Sequence, residues 1–568
     1  MAFEDFNPSV NYYAGTYVWE GKDLFQFVDD HPAGKWDFSH VQIVSRKELI
    51  NMLGRAWDGV QDLYDALANL DSEATKRYGV SGIGGSTAAL TRLYDAVGMS
   101  ANVGTDDSTV SVVNDFDAAG PWMHRKCVGH WEAEDGHAKF VVEAYFGDPD
   151  YKEDGTKGDY VAVELPLSYY MRQGTQLVIS SFKYPGMRAF DIFCRNHDQN
   201  DLIEKVYVPA YALALDSDGH AVSLPGLDNE QGAYKGLFDS ARKYNNNDVK
   251  ALGMLMPAAL QFYYWAMSVV EFATQNLQNI MAGCSGLRHN GDDRVTFTDS
   301  THILTSNYQA GRVVGEHISI VATSVSVDDA AKMATHEIKS IVRCDENGDA
   351  DDAGTHQLIE IEDLGRDYYE YDTTGETEYR ICARAFPTGA CNSVVTPSGS
   401  PVSNSDTYHP MRYRYRENVW GNQFHTTIDL FNVRVGTGDE DYKLEWYILP
   451  DPTDIVTPAN PDSAALAASP YEKLGVETAH ANYVNGYIKS VVYDEKYPDI
   501  WIPHETAGGS ATTYFSDYAY LVLSNTSRAV RLGGRWSNGT NVGPSSLYAS
   551  YAASSGHAYF GGDLCFAQ

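Results

Sequence analysis

GGRWSNGTNVGPSSLYASYAASSGHAYFGGDLCFAQ, residues Gly533 to Gln568, is the stretch on which the reading of this chain turns. Gly533, Gly534, Trp536, Gly539, Gly543, Gly561 and Gly562 set a frame, and Ser, Tyr, His, Arg and Asp fill the spaces between. Tyr gives rigid contact area at low entropic cost, and Ser and Gly give adaptable hydrogen bonding, so this is the composition of a recognition surface. Tyr548, Tyr551 and Tyr559 offer amphipathic rings. Arg535 and Asp563 offer charged contacts that set specificity. Alternation from His557 to Tyr559 is compatible with both side chains on one side of a strand.

The other 532 or so residues must mount this surface. Length predicts two to four domains. Hydrophobic residues at 43% and charged residues at 21% allow sizeable cores. Lys and Arg number 42 against 77 Asp and Glu, a net charge of -35. With no basic run to bind phosphates, nucleic acid and anionic membranes are excluded as partners. The most apolar stretch, Leu255 to Ala273, contains Pro257, Gln261 and Glu271 and reads as a buried core helix, not a membrane span. MAFEDFNPSV at the N-terminus has no apolar core, so no signal peptide is expected.

Residues 1–44 read as a small β-rich unit, with a hairpin across Gly21 and Lys22. Ser45 and Glu48 form a capping box. Leu53, Ala56, Val60, Leu63, Leu67 and Leu70 follow at alternating steps of three and four, the seam of a coiled-coil helix over 45–71. Residues 72–568 then form one large domain, with a β-rich insertion over about 295–410. The core helix is expected to start near Pro257 and stop at Gly283. The expected fold class is α+β.

Three patterns in order carry a resemblance: VVEFATQNLQNIMAG (269–283), RYRYRENVWGNQFHTTIDLFN (412–432) and GGRWSNGTNVG (533–543). Together they resemble the C-type-lectin-like fold of the formylglycine-generating-enzyme type. The resemblance assigns Glu417, Asn418, Trp420, Gly421 and Asn422 to one scaffold element and Gly533, Gly534 and Trp536 to another. Arg416 stands where that family has a small residue. The tail itself resembles the variable region of proteins diversified by retroelements, including phage tail receptor-binding proteins. That resemblance implies a C-terminal variable region over 533–563, with ligand-binding positions Arg535, Ser537, Tyr548, Ser550, Tyr551, Ser555, His557, Tyr559 and Asp563. It further implies a homotrimer at a virion tail tip, other tail proteins held through the N-terminus, and a bacterial cell-surface receptor as partner. A bacterial surface-displayed variable protein and a formylglycine-generating-like oxidase are the alternatives.

Chemistry is sparse. The seven cysteines contain no C-x-x-C pair, and Cys565 lies in the apolar run LCFA, so reduced thiols are expected. His336 and His425 are isolated and no metal site is expected. Cys344–Gly354 has calcium-like acidic spacing, but Ala350 occupies the position where that loop needs glycine, and a solvated turn is expected. GIGGST (82–87) lacks the lysine of a phosphate loop. No cofactor and no enzymatic activity are expected.

Overall fold

The computed structural model describes residues 75–568 except 107–111, 287–292, 327–333, 366–370, 372–376, 437–442, 452–460, 462, 469, 480–484 and 522–525, together with 4–5, 17–20, 23–27 and 41–43. The predicted coiled coil at 45–71 lies outside the described residues. In the N-terminal segment Tyr17–Glu20 pairs antiparallel with Asp23–Phe27, and Glu4–Asp5 and Val41–Ile43 flank them.

The chain is mostly β, with 36% strand and 11% helix, which corrects the α+β expectation and its lectin-like body headed by a coiled coil. Two longer helices are described, α1 (Tyr234–Ala241) and α2 (Ala258–Phe272). Helix α2 begins after Pro257 as predicted, but stops well before Gly283. Ala273 takes a left-handed conformation at φ 51°, which ends the helical ladder. Residues beyond it turn irregularly around the short 3₁₀ segment Leu277–Asn279. The apolar run Val161–Met171 contributes to two strands. Tyr160–Pro166 and Tyr169–Gln173 belong to different sheets, with the buried Ser168 between them.

Helix α2 is apolar all round because every side is covered; all but Phe272 of its residues are buried. Against it pack strands Gln176–Ser180 and Arg77–Ser81 from one five-stranded sheet. On another side lies the largest sheet, in the order Glu472–Ala479, Lys443–Ile448, Phe424–Val435, Arg528–Leu532, Leu547–Ala549, Tyr518–Leu521, Gly486–Tyr487. Residues Arg294–Ala383 contain a seven-stranded sheet with its own cluster of Val295, Ile303, Ile318, Ile320, Ile359 and Ile381. These β-branched residues pack in a cluster of their own.

The stretch Arg412–Asn422 ties these layers together. Arg412, Arg414 and Arg416 are all buried, and each holds a different segment. Arg412 donates to the carbonyls of Cys391, Val394 and Thr396. Arg414 pairs with Glu271 at the end of α2, at 2.5 Å, and with Asp117 at 2.6 Å. Arg416 pairs with Asp563 in the C-terminal tail at 3.1 Å. Buried guanidinium groups need such partners, because desolvation without them costs several kcal/mol.

Candidate functional site

Two motif elements distant in sequence meet beneath the C-terminal tail. Gly421 donates its N–H to the carbonyl of Gly533, and Trp536 donates to that of Asn422. Asn422 is left-handed at φ 57°, and its side chain accepts from Phe386 N–H at 2.8 Å. Gly421 sits at φ 82°, and a Cβ there would lie 2.8 Å from the carbonyl oxygen of Cys284. Only glycine fits that approach. Trp420 is fully buried and donates Nε1–H to the carbonyl of Met281.

Glu417 accepts the N–H groups of Gly389 and Cys391 at 2.8 and 2.7 Å. Burial outweighs these bonds and pushes its carboxyl up to about 7. The folded state therefore holds a proton that the unfolded state releases near 4.5. Its contribution to stability is full below that value and declines as pH rises through about 7. Glu417→Gln, which cannot ionise, is expected to flatten the fall in urea midpoint between about pH 5 and pH 8. A slope equal to that of the wild type would show that Glu417 does not titrate in this interval.

The tail runs over this frame. Strand Leu547–Ala549 pairs with Arg528–Leu532 on one side and Tyr518–Leu521 on the other. The chain then loops through 550–559 and returns at Phe560–Gly561, parallel to the start of Phe424–Val435. Backbone bonds fix the loop: Phe424 N–H to Tyr559 O, Tyr234 N–H to Ala553 O, Gly232 N–H to Phe560 O. Gln423 adds a side-chain bond to the carbonyl of Ala558. A surface so held pays little ordering entropy on binding.

Five of the nine predicted ligand positions converge here. Arg535 stands 3.5 Å over the ring of Tyr559. His557 stacks on Tyr559 with centroids 4.8 Å apart and planes at 9°. Tyr551 meets His557 edge-on at 4.8 Å, and its hydroxyl lies 3.2 Å from that of Tyr559. Tyr548 stacks against Tyr520 at 5.6 Å, but is itself largely buried on Phe424. Tyr520, with 38% of its surface exposed, is a patch member that sequence reasoning missed. Its signal is register, since Tyr520 lies directly opposite Tyr548 across a parallel pair, and no pattern within one segment reveals that.

The remaining four positions lie apart from this cluster. Ser537 is half-buried in a turn in which Arg535 N–H donates to the side chain of Asn538. Ser550 is half-buried at the end of its strand, and Ser555 donates its N–H to Ala552 O in a turn. Asp563 is 2% exposed and faces inward. Its carboxylate pairs with Arg416 and lies 2.6 Å from His425 Nδ1. Burial alone would raise its pKa, but the charges of His425 and Arg416 hold it well below the usual carboxylate range. A residue so engaged serves the scaffold and cannot present itself to a ligand. The same pair explains Arg416, whose size departs from the resembled motif, and shows that His425 is not isolated.

Neither the cysteines nor the acidic loop adds a reactive centre. All seven cysteines are buried free thiols, and burial pushes those of Cys127, Cys194 and Cys565 up, away from thiolate reactivity. Asp345 accepts the N–H groups of Asn347 and Asp349, so the turn occupies its own carboxylate. His336 bonds Glu362 at 2.7 Å.

A cavity of about 190 Å³ lies elsewhere, beside the start of α2. Asp191, Arg195, His197, Asp429 and Asp451 line it together with apolar residues and the chain's last four residues. His197 meets acceptors at both ring nitrogens, Asp191 and the carbonyl of Pro450, so it has no lone pair free for general-base work.

No protein-family model and no curated protein matches this chain. The functional reading therefore rests on the residues and their arrangement.

Proposed function

We propose that this protein is a phage tail receptor-binding protein, and that the patch formed by Arg535, Tyr551, His557 and Tyr559, with Tyr520 and Tyr548 beside it, is its ligand-binding face. The carrying observation is the convergence of these aromatic and cationic side chains on a loop fixed by backbone hydrogen bonds. Aromatic residues and arginine dominate binding energy at interfaces, and rigidity lets them act at low entropic cost. The role is binding, not catalysis. The N-terminal β segment would attach the protein to the virion, and the protein would act as a homotrimer. Three copies of a weak face raise avidity through effective concentration.

The resemblance of the tail to retroelement-diversified regions extends the proposal. Arg535, Ser537, Tyr548, Ser550, Tyr551, Ser555, His557 and Tyr559 would be exchangeable positions, and Gly533, Gly534, Trp536 and the inward-facing Asp563 fixed ones. A template repeat in the neighbouring DNA that matches these codons except at adenines would establish it.

Adsorption of the purified protein to a panel of bacterial strains tests the binding face. The double change Tyr551→Ala/Tyr559→Ala is expected to reduce adsorption to any bound strain at least about tenfold, while leaving the urea midpoint near that of the wild type. Adsorption unchanged in a folded variant would remove this patch from receptor binding.

A further inference from the structure

The recognition face differs in charge from the rest of the molecule. The chain carries 77 acidic residues, yet from Tyr518 to Gly562 there is no Asp or Glu. The same interval contains Arg528, Arg531, Arg535 and His557. Two of the arginines lie within the aromatic cluster. Arg535 covers Tyr559, and its Nε has no hydrogen-bonding partner. Arg531 is fully buried directly beneath, 3.7 Å over the ring of Phe560 and 6.0 Å from that of Tyr551.

Arg531 makes one bond, from a terminal nitrogen to the carbonyl of Ala529, and its Nε and second terminal nitrogen have no partner. Among the described residues no carboxylate pairs with Arg531 or Arg535. Contrast Arg414 and Arg416, buried to the same degree and each matched to an acid. Desolvation without a counter-charge lowers the guanidinium of Arg531 to about 9. An unneutralised buried cation is costly. On a molecule of net charge -35 its retention behind the binding face needs a reason.

We infer that the receptor ligand of this face is a carboxylate-bearing saccharide of the bacterial surface. The inference rests on the receptor-binding reading above and adds the ligand's chemistry. Guanidinium groups recognise carboxylates with paired, directional hydrogen bonds. Arg535, half-buried at the rim, supplies that contact. Arg531 supplies positive potential from behind through a low-dielectric layer of rings. Tyr520, the most exposed ring of the patch, offers flat apolar area against which the C–H face of a sugar ring can lie. The absence of acidic side chains from this whole interval removes the like-charge repulsion that the rest of the surface would impose.

Adsorption to a bound strain separates this from other ligands. Surface carboxylates of the cells are amidated with a carbodiimide and a neutralising amine, and a parallel sample is digested with proteinase. For a strongly acidic protein, general electrostatics predicts that amidation increases adsorption, since it removes repulsion. The inference predicts the opposite, a fall of at least about tenfold, equivalent to about 1.4 kcal/mol. It also predicts survival of adsorption after proteinase. Arg535→Gln is expected to match the loss caused by amidation, and Arg535→Lys to retain part of the binding. Adsorption unchanged or raised after amidation overturns the anionic ligand, and loss after proteinase overturns the saccharide. In either case, if Tyr551→Ala/Tyr559→Ala still abolishes adsorption, the receptor-binding reading stands without this extension.

Discussion

Asp563→Ala is expected to lower stability by about 3–5 kcal/mol, among the largest effects of any single change in the chain. The substitution removes the carboxylate shared by Arg416 and His425 and leaves both in the protein interior without their counter-charge. The urea midpoint measures the loss, and a decrease under about 1 kcal/mol would show that the triad is not a stabilising unit. The pH dependence has a definite sign. Asp563 is held below its ordinary value of 3.8 in the folded state. Its stabilisation is therefore complete above that value and is lost as pH falls below it towards the folded pKa. The variant should lack this acid-labile component. The sign is opposite to that of Glu417, so the two contributions are complete together only between about pH 3.8 and pH 4.5.

Arg414→Met is expected to cost a similar amount, about 3–5 kcal/mol. Glu271 is fully buried at the last turn of α2, and Arg414 is the cation paired with its carboxylate, while Arg92 donates to its backbone carbonyl. Tyr413 Oη–H and Asn114 Nδ2–H still reach the carboxylate in the variant, but neither carries charge. Glu271→Gln added to Arg414→Met removes the orphaned charge and is expected to recover part of the loss. Buried pairs replaced together often cost far less than one partner removed. Full additivity in the double-mutant cycle would exclude the pairing as a source of stability.

Both predictions concern residues whose roles the sequence hides. Asp563 is a charged residue in the tyrosine- and glycine-rich tail, so it reads as part of the recognition surface. The side chain turns inward because Arg416, almost 150 positions earlier, is buried at the same place. The arginines of Arg412–Arg416 likewise resemble a polar strand face. Each is buried because an acid or a set of carbonyls from another segment meets it there.

Local pattern did better where local physics decides the outcome. The pairing of Tyr17–Glu20 with Asp23–Phe27, the start of α2 after Pro257 and the β content of 294–383 follow from alternation and helix-start chemistry. The end of α2 did not follow, because nothing in ATQNLQNIMAG forbids helix. Packing of this segment against neighbouring loops, including Ala282 N–H bonded to Asn404 O, decides it.

The sequence by itself determined that the last thirty-six residues are a glycine-framed, tyrosine-rich segment suited to recognition, and that Trp536 and its glycines are frame. Only the tertiary structure decided which residues of the tail stand together. Arg535, Tyr551, His557 and Tyr559 meet because Phe560–Gly561 returns to pair with Phe424 and His425. Tyr520 joins them through strand register, and Asp563 leaves them for a buried arginine. Composition is a property of one segment and can be read along it. Facing is a property of pairs of segments, fixed by long-range hydrogen bonds and buried charges that no local pattern contains.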